Sequence, residues 1–163
     1  MPDFSELLAG AKPREGEVPI CLAGDLVGEV ERLQGELAHV GEGWVSTSMA
    51  DADPRLGLVQ QIEAVREEMR AASVTFRLRA LGHRAFSNLV AAHPAAEQKA
   101  VVPYDAGTFL PALVAACCID PVMTVDQVGQ LLDVVNDGQA RELFGAALAV
   151  NEEASPLPFS LPG

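Results

Sequence analysis

The residues of this chain that could perform chemistry are few, and their spacing favours no metal or redox site. His39, His83 and His93 stand at no metal-ligand spacing from one another or from a cysteine. Cys117 and Cys118 are adjacent within an apolar run, and the cysteine total is odd, at three. This pattern predicts buried free thiols rather than a disulfide framework.

Carboxylate pairs, glycine-rich turns and serines also lack the surroundings that catalysis requires. Glu67-Glu68 and Glu152-Glu153 lie in polar stretches, without an apolar pocket to separate the pKa values of an acid and a base. The segment Gly24–Gly28 lacks the spacing and the lysine of a phosphate-binding loop. No serine lies within a nucleophile motif. We therefore predict that the protein is not an enzyme and binds no cofactor.

A basic segment in an acidic chain is the clearest candidate for an interaction. The net charge of -12 argues against a nucleic-acid partner. Residues 70–99 reverse this balance, since Glu97 is their one acid. The bases there are Arg70, Arg77, Arg79, Arg84 and Lys99. Either these cations pair with acids of the same chain or of a sister subunit, or they bind an acidic segment of a partner protein.

The elements that position these residues can be read from the hydrophobic pattern. Apolar and polar residues alternate from Val74 to Leu81, which predicts a strand with one buried face. After Gly82, a short helix is predicted from Arg84 to His93. The run from Phe109 to Ile119 is almost entirely apolar but shorter than the ~20 residues that span a membrane. It predicts the buried central helix of a soluble domain.

Two amphipathic helices precede the basic segment. Their apolar residues recur at spacings of 4, 3, 4 and 3, as in heptad seams. Asp53-Pro54 marks the start of the second helix, with a capping side chain followed by proline. The seam residues are Leu26, Val30, Leu33, Leu37 and Val40 in the first helix and Leu58, Ile62, Val65, Met69 and Ala72 in the second.

Together these helices predict an antiparallel helical hairpin, with seams that pack within one chain or, alternatively, between subunits. Strands 18–23 and 74–81 are predicted to pair at its base. The result would be a helical arm rising from a small two-stranded sheet.

The two ends of the chain complete the prediction. Near the start, Phe4, Leu7 and Leu8 predict a helical turn capped by Ser5. Towards the end, Thr124 with Gln127 and then Asn136 mark the starts of two further helices. The last helix carries an apolar stripe, which we consider a candidate partner surface together with Arg77, Arg79 and Arg84. The stripe includes Leu143, Phe144 and Leu148.

The predicted fold is therefore mainly α, with a minor α+β part. Its segments are a lead-in at 1–17, a strand, hairpin and strand at 18–81, a C-terminal helical domain at 82–150 and a flexible tail at 151–163. No signal peptide or membrane segment is recognised, so a cytoplasmic protein that binds neither membrane nor nucleic acid is expected.

The order of these segments resembles the tail assembly chaperones of long-tailed bacteriophages that infect actinobacteria. The resemblance runs through most of the chain, and it depends on the ordered set rather than on one motif. The matching segments are Val18–Val27, Ala52–Arg55, Val74–Leu81, Ala92–Pro94, Thr108–Cys117, Leu132–Gly138 and Leu143-Phe144.

The resemblance implies a chaperone in the cytoplasm of the infected host. Such proteins bind the helical, aggregation-prone tape measure protein, keep it soluble and help the tail tube protein to polymerise around it. A longer, frameshifted form would contact the tube protein, and homo-oligomers are compatible with this role. The alternatives are a structural tail or head–tail component that stays in the virion, and an unrelated homo-oligomeric helical adaptor from the host.

Overall fold

The computed structural model describes residues 1–154, and this part of the chain is mainly helical with one small sheet. The helices are α1 (Phe4–Ala9), α2 (Gly24–Gly43), α3 (Pro54–Ala71), α4 (His83–Ala92), α5 (Ala106–Cys117), α6 (Val125–Val134) and α7 (Asp137–Glu152). The strands are β1 (Glu15–Cys21), β2 (Ser73–Arg79) and β3 (Cys118–Asp120). The prediction of a mainly α fold with a minor sheet is confirmed. Within residues 1–154, each helix is too short or too polar to cross a membrane.

The sheet has three strands in the order β1-β2-β3, so the prediction of a two-stranded sheet is wrong. Strand β3 pairs antiparallel with β2, and Leu78 faces Cys118. The predicted helix 109–119 therefore ends earlier, at Cys117. The error has a physical cause, because a short apolar run is compatible with either a buried helix or a buried strand.

The alternation predicted for the strands is present in the structure. In β2, Phe76 and Leu78 are buried, whereas Arg77 and Arg79 are exposed. In β1, Gly16 lies on the inward side, where an added Cβ would come within 2.9 Å of Val150 Cγ1. Helix α7 thus packs directly against the backbone of β1.

The chain divides into two compact units. The first comprises Met1–Val18 and Thr75–Gly163, with residues up to 154 described, and the second comprises Pro19–Val74. The predicted lead-in 1–17 and the predicted domain 82–150 therefore fall within the same unit.

In the second unit, α2 and α3 pack against each other along their predicted seams. Val30, Leu33 and Ile62 are buried, and the other seam residues are half-buried. The side chain of Asp53 accepts a hydrogen bond from the Arg55 N–H, which confirms the predicted start of α3. The two seams therefore contact each other within one chain, and a seam shared between subunits stays an alternative.

In the first unit, α5 packs against α4, α6 and α7. Phe109, Leu113 and Val114 of α5 are fully buried. Thr124 caps α6 in a capping box with Gln127, and Asn136 caps α7, both as predicted. Asn136 also forms a capping box with Gln139. The prediction of a buried central helix is therefore confirmed for residues up to Cys117.

Two predictions at the chain ends need correction. Asp3, not Ser5, caps α1, because its carboxylate accepts from the Glu6 N–H while the Glu6 side chain accepts from the Asp3 N–H. At the other end, α7 continues to Glu152, so residues 151 and 152 are helical rather than part of a tail. The remainder of the predicted tail, residues 155–163, lies outside the described residues.

Candidate interaction surfaces

The predicted basic residues of β2 form a charged face with acids of β1. Arg79 Nη2 lies 2.7 Å from Glu15 Oε1, and Arg77 Nη2 lies 3.3 Å from Glu15 Oε2. Arg77 Nε lies 3.4 Å from a carboxylate oxygen of Glu17. The hydrogen bond from Arg79 is the main reason why the pKa of Glu15 is lowered from its ordinary value. The structure thus shows the intramolecular pairing that the sequence left open.

This pairing changes what the charged face offers to a partner. The side chains of Arg77 and Arg79 are 45% and 48% exposed, so both remain accessible. Their charge is compensated locally by two carboxylates, however, so an acidic partner would compete with Glu15 and Glu17. A binding role for Arg77 and Arg79 stays a prediction.

Arg84 differs from these two arginines. It lies exposed in the first turn of α4. Among the residues that the structure describes, it forms no ion pair. An acidic partner would therefore meet an uncompensated cation there.

The predicted apolar stripe of α7 separates into two faces. Leu143 is 0% exposed and belongs to the core, so it cannot contact a partner while α7 stays in place. Phe144 and Leu148 are half-buried and lie one turn apart. Asn151 and Glu152 follow at the same helical period, so these four side chains share one face of α7. The prediction is therefore corrected for Leu143 and stays open for Phe144 and Leu148.

This face of α7 ends at a groove of about 450 Å³, which lies in the first unit. Helix α4 supplies one wall, and the end of α7 supplies another. The lining residues are His83, Phe86, Ser87, Val90, Pro103, Asn151 and Glu152. The wall is thus partly apolar and partly polar, as in many ligand and peptide sites.

Aromatic packing and hydrogen bonds hold the groove in shape. The ring of Phe86 packs edge-on against Phe109, with 5.9 Å between the centroids, and Tyr104 stacks on the same ring at 4.1 Å. Asn151 Oδ1 accepts from the Leu81 N–H at 2.9 Å, and its Nδ2 donates to the Ala147 carbonyl at 2.7 Å. The groove is therefore built before any ligand arrives.

Sequence reasoning did not find this groove, because its lining comes from three separated segments. A partial signal exists in α4, where His83, Phe86, Ser87 and Val90 fall at helical spacing. A second hollow, of about 630 Å³, lies beside the charged face and is lined by Lys12, Pro13, Glu15 and Arg79.

The cysteines of the first unit are poorly suited to reaction. Burial raises the pKa of Cys117 to about 12, and it also raises the pKa of Cys118. Both thiols are therefore protonated near neutral pH and weakly nucleophilic. Within residues 1–154, no three His, Cys, Asp or Glu side chains lie close enough to hold a metal ion.

Comparison with protein-family models, with curated proteins and with solved structures finds no match for this chain.

Proposed function

We propose that this protein is a bacteriophage tail assembly chaperone that binds the tape measure protein, keeps it soluble and promotes assembly of the tail tube around it. The proposal is supported by the ordered set of segments that resembles this family. The structural observation that favours it is the face formed by Phe144, Leu148 and the adjoining groove. A half-buried apolar stripe that continues into a groove suits the apolar side of an amphipathic helix.

The charge of the chain fits the same role. With 23 acids against 11 bases, the chain carries a net negative charge that favours solubility while it holds an apolar client. In this proposal α2 and α3 form an antiparallel hairpin arm, which provides a second helical surface. The tail tube protein would be contacted through a longer form of the chain, in the cytoplasm of the infected host.

The test is co-expression with the tape measure protein of the same genome, followed by a solubility assay and pull-down. We expect the wild-type chain to raise the soluble fraction of the tape measure protein and to co-purify with it. Leu148→Glu should lower both, because it places a charge on the stripe. Val134→Glu is the matched control, since Val134 is 70% exposed on α6.

The charged face is tested separately, because reversing its arginines also breaks ion pairs within the chain. Arg77→Glu/Arg79→Glu leaves four acids together, whereas adding Glu15→Arg/Glu17→Arg restores opposite charges. If the four-residue swap restores folding but not binding, the arginines themselves contact the partner. If it restores both, they act only within the fold.

An insoluble, unbound tape measure protein would contradict the chaperone proposal. If the chain were then found in purified virions, the structural tail or head–tail component would replace it as the assigned function.

A further inference from the structure

We propose that a second copy of this chain docks on one flank of the α2–α3 pair, so that two copies together form a four-helix assembly. Both helices belong to the second unit. The inference concerns the isolated chain and is independent of the tape measure protein. It rests on the direction of the two helices, on the side where their exposed apolar residues lie and on the charge of that side.

Helices α2 and α3 run in opposite directions. Just before α2, the Leu22 N–H donates to the Ala72 carbonyl, directly after α3, at 3.1 Å. At the other end, the guanidinium carbon of Arg55 lies 5.4 Å from the ring centroid of Trp44. The start of each helix therefore lies beside the end of the other.

This arrangement gives the pair two flanks whose residues can be read from the sequence. Each residue of an α-helix is turned by about 100° from the residue before it. Residues that directly follow a seam residue therefore lie on one side of the helix, and residues that directly precede one lie on the other side. Because the helices run in opposite directions, the following residues of both helices lie on the same flank of the pair. We call this the following flank and the opposite side the preceding flank.

The following flank carries the large apolar side chains that the pair exposes. Val27 and Val59 each follow a seam residue directly, and Leu56 lies beside Val59 because it stands three residues earlier on α3. Their exposed fractions are 36% for Val27, 44% for Val59 and 61% for Leu56. Within α2 and α3, which the structure describes completely, the large exposed apolar residues are these three. The apolar surface is therefore concentrated on one flank.

The two flanks also differ in charge. Two acids and two bases follow a seam residue, whereas four acids and one base precede one. The first set is Glu31, Glu63, Arg66 and Arg70, and the second is Asp25, Glu29, Glu36, Glu68 and Arg32. In a chain with a net charge of -12, the following flank is thus a balanced surface, on which a second copy meets no excess of like charge.

A second copy is the occupant that this flank fits. A dimer with two-fold symmetry brings the same patch of both copies together, so the patch must complement itself. The apolar residues of one copy can cover those of the other, and Arg66 and Arg70 of one copy can face Glu31 and Glu63 of the other. A strongly acidic or basic partner would find no opposite net charge here.

The small core of the pair shows what docking would add. Val30, Leu33 and Ile62 are the buried residues of the two helices, and the other seam residues are half-buried. Two helices that pack side by side leave the edges of their seam open to water, whereas four helices enclose a core from all sides. A second copy would therefore cover Leu56, Val59 and the edge of the seam beside them.

The first test measures the mass of the full chain by sedimentation equilibrium over a range of concentrations, and we expect a reversible dimer. Leu56→Glu/Val59→Glu should raise its dissociation constant at least about tenfold, because like charges would replace the apolar contact. The matched control is Gln61→Glu/Ala64→Glu, which adds two charges at the same spacing on the preceding flank of α3, where both residues are exposed. It should leave the dimer in place. Far-UV circular dichroism should show the wild-type helix content in both variants.

The second test exchanges charges on the following flank. Arg66→Glu/Arg70→Glu makes this flank acidic, and Glu31→Lys/Glu63→Lys makes it basic. We expect each variant alone to dimerise more weakly than the wild type, because like charges then face each other. An equimolar mixture should form heterodimers, since the opposite charges meet again.

Four results would overturn the proposal. A wild-type chain that stays monomeric at every concentration would remove the second copy. A dimer that survives Leu56→Glu/Val59→Glu would place the contact elsewhere in the chain, and equal weakening by the control would show that added charge alone is the cause. A mixture of the two charge variants without heterodimers would exclude the following flank as the contact.

Discussion

The helical pair α2–α3 and the bundle around α5 are both built on apolar side chains, but the fraction of residues that is buried differs between their helices. Helix α2 has 20 residues and α3 has 18, yet Val30, Leu33 and Ile62 are their buried residues. Helix α5 has 12 residues and buries five of them, from Phe109 to Cys117. A short helix surrounded by neighbours thus contributes more to the core than two long helices that pack side by side.

The difference follows from the number of neighbours. Helix α5 contacts α4, α6 and α7, so apolar residues are useful around most of its circumference. In α2 and α3 one stripe of each helix meets the other, and the remaining surface is mostly polar, with exposed apolar residues such as Leu56 and Val59. The sequence patterns differ accordingly, with a continuous apolar run in α5 and heptad spacing in α2 and α3.

Each region contains one aromatic residue whose optical signal can be followed during unfolding. These residues are Trp44 in the second unit and Tyr104 in the first.

The largest effect is expected at the centre of the α5 bundle. Phe109→Ala removes a side chain that is 0% exposed and contacts the rings of Phe86, His93 and Tyr104. A buried Phe→Ala change costs about 3–5 kcal/mol, much of the stability of a typical domain. Urea unfolding followed by the near-UV signal of Tyr104 measures the loss. Phe4→Ala, at a position 74% exposed, should cost far less. Equal losses would mean that the bundle is not the stabilising region.

A smaller effect is expected in the helical pair. Leu33→Ala empties a seam position that is 1% exposed, with an expected cost of about 2–4 kcal/mol. Trp44 fluorescence during urea unfolding reports on this region. Leu56→Ala is the matched control, because Leu56 lies on α3 with 61% of its surface exposed. A cost for Leu33→Ala that changes with protein concentration would instead indicate a seam shared between subunits.

The sequence predicted those parts of the fold that depend on local chemistry. The seams of α2 and α3 follow from helical period, and the caps at Asp53, Thr124 and Asn136 each need a side chain and a backbone N–H two or three residues away. Strand β3 could not be predicted in the same way. Cys118 and Ile119 continue the apolar run of α5, and pairing with β2 decides their conformation.

Prediction of the candidate surfaces was less complete than prediction of the helices, because these surfaces depend on contacts between residues far apart in the sequence. The pattern identified Arg77 and Arg79 as exposed cations, but their acidic neighbour Glu15 is more than sixty residues earlier in the chain. Likewise, Leu143 and Phe144 are adjacent in sequence and lie on different sides of α7. The sequence of an apolar stripe does not show which of its residues the core buries. The structure was therefore required to distinguish buried Leu143 from half-buried Phe144.

The smallest effect is expected at the charged face, which contrasts with both apolar regions because solvent reaches it. Arg79 and Arg77 lower the pKa of Glu15 from its ordinary value of 4.5. A lowered pKa in the folded chain means that this carboxylate stabilises the fold above pH 4.5 and loses that effect as the pH falls through its folded pKa. Glu15→Gln should therefore lower the urea midpoint slightly near neutral pH, and the difference from wild type should shrink in acid.

The matched control for this change is Glu142→Gln, which removes an equal charge from an exposed position of α7. We expect its midpoint to stay closer to the wild-type midpoint than that of Glu15→Gln does, with a difference that changes less with pH. If Glu15→Gln differed from wild type by the same amount at every pH, the ion pairs would not be the source of the effect. High salt offers an independent check, because screening should reduce the contribution of exposed pairs while leaving the cost of Phe109→Ala largely unchanged.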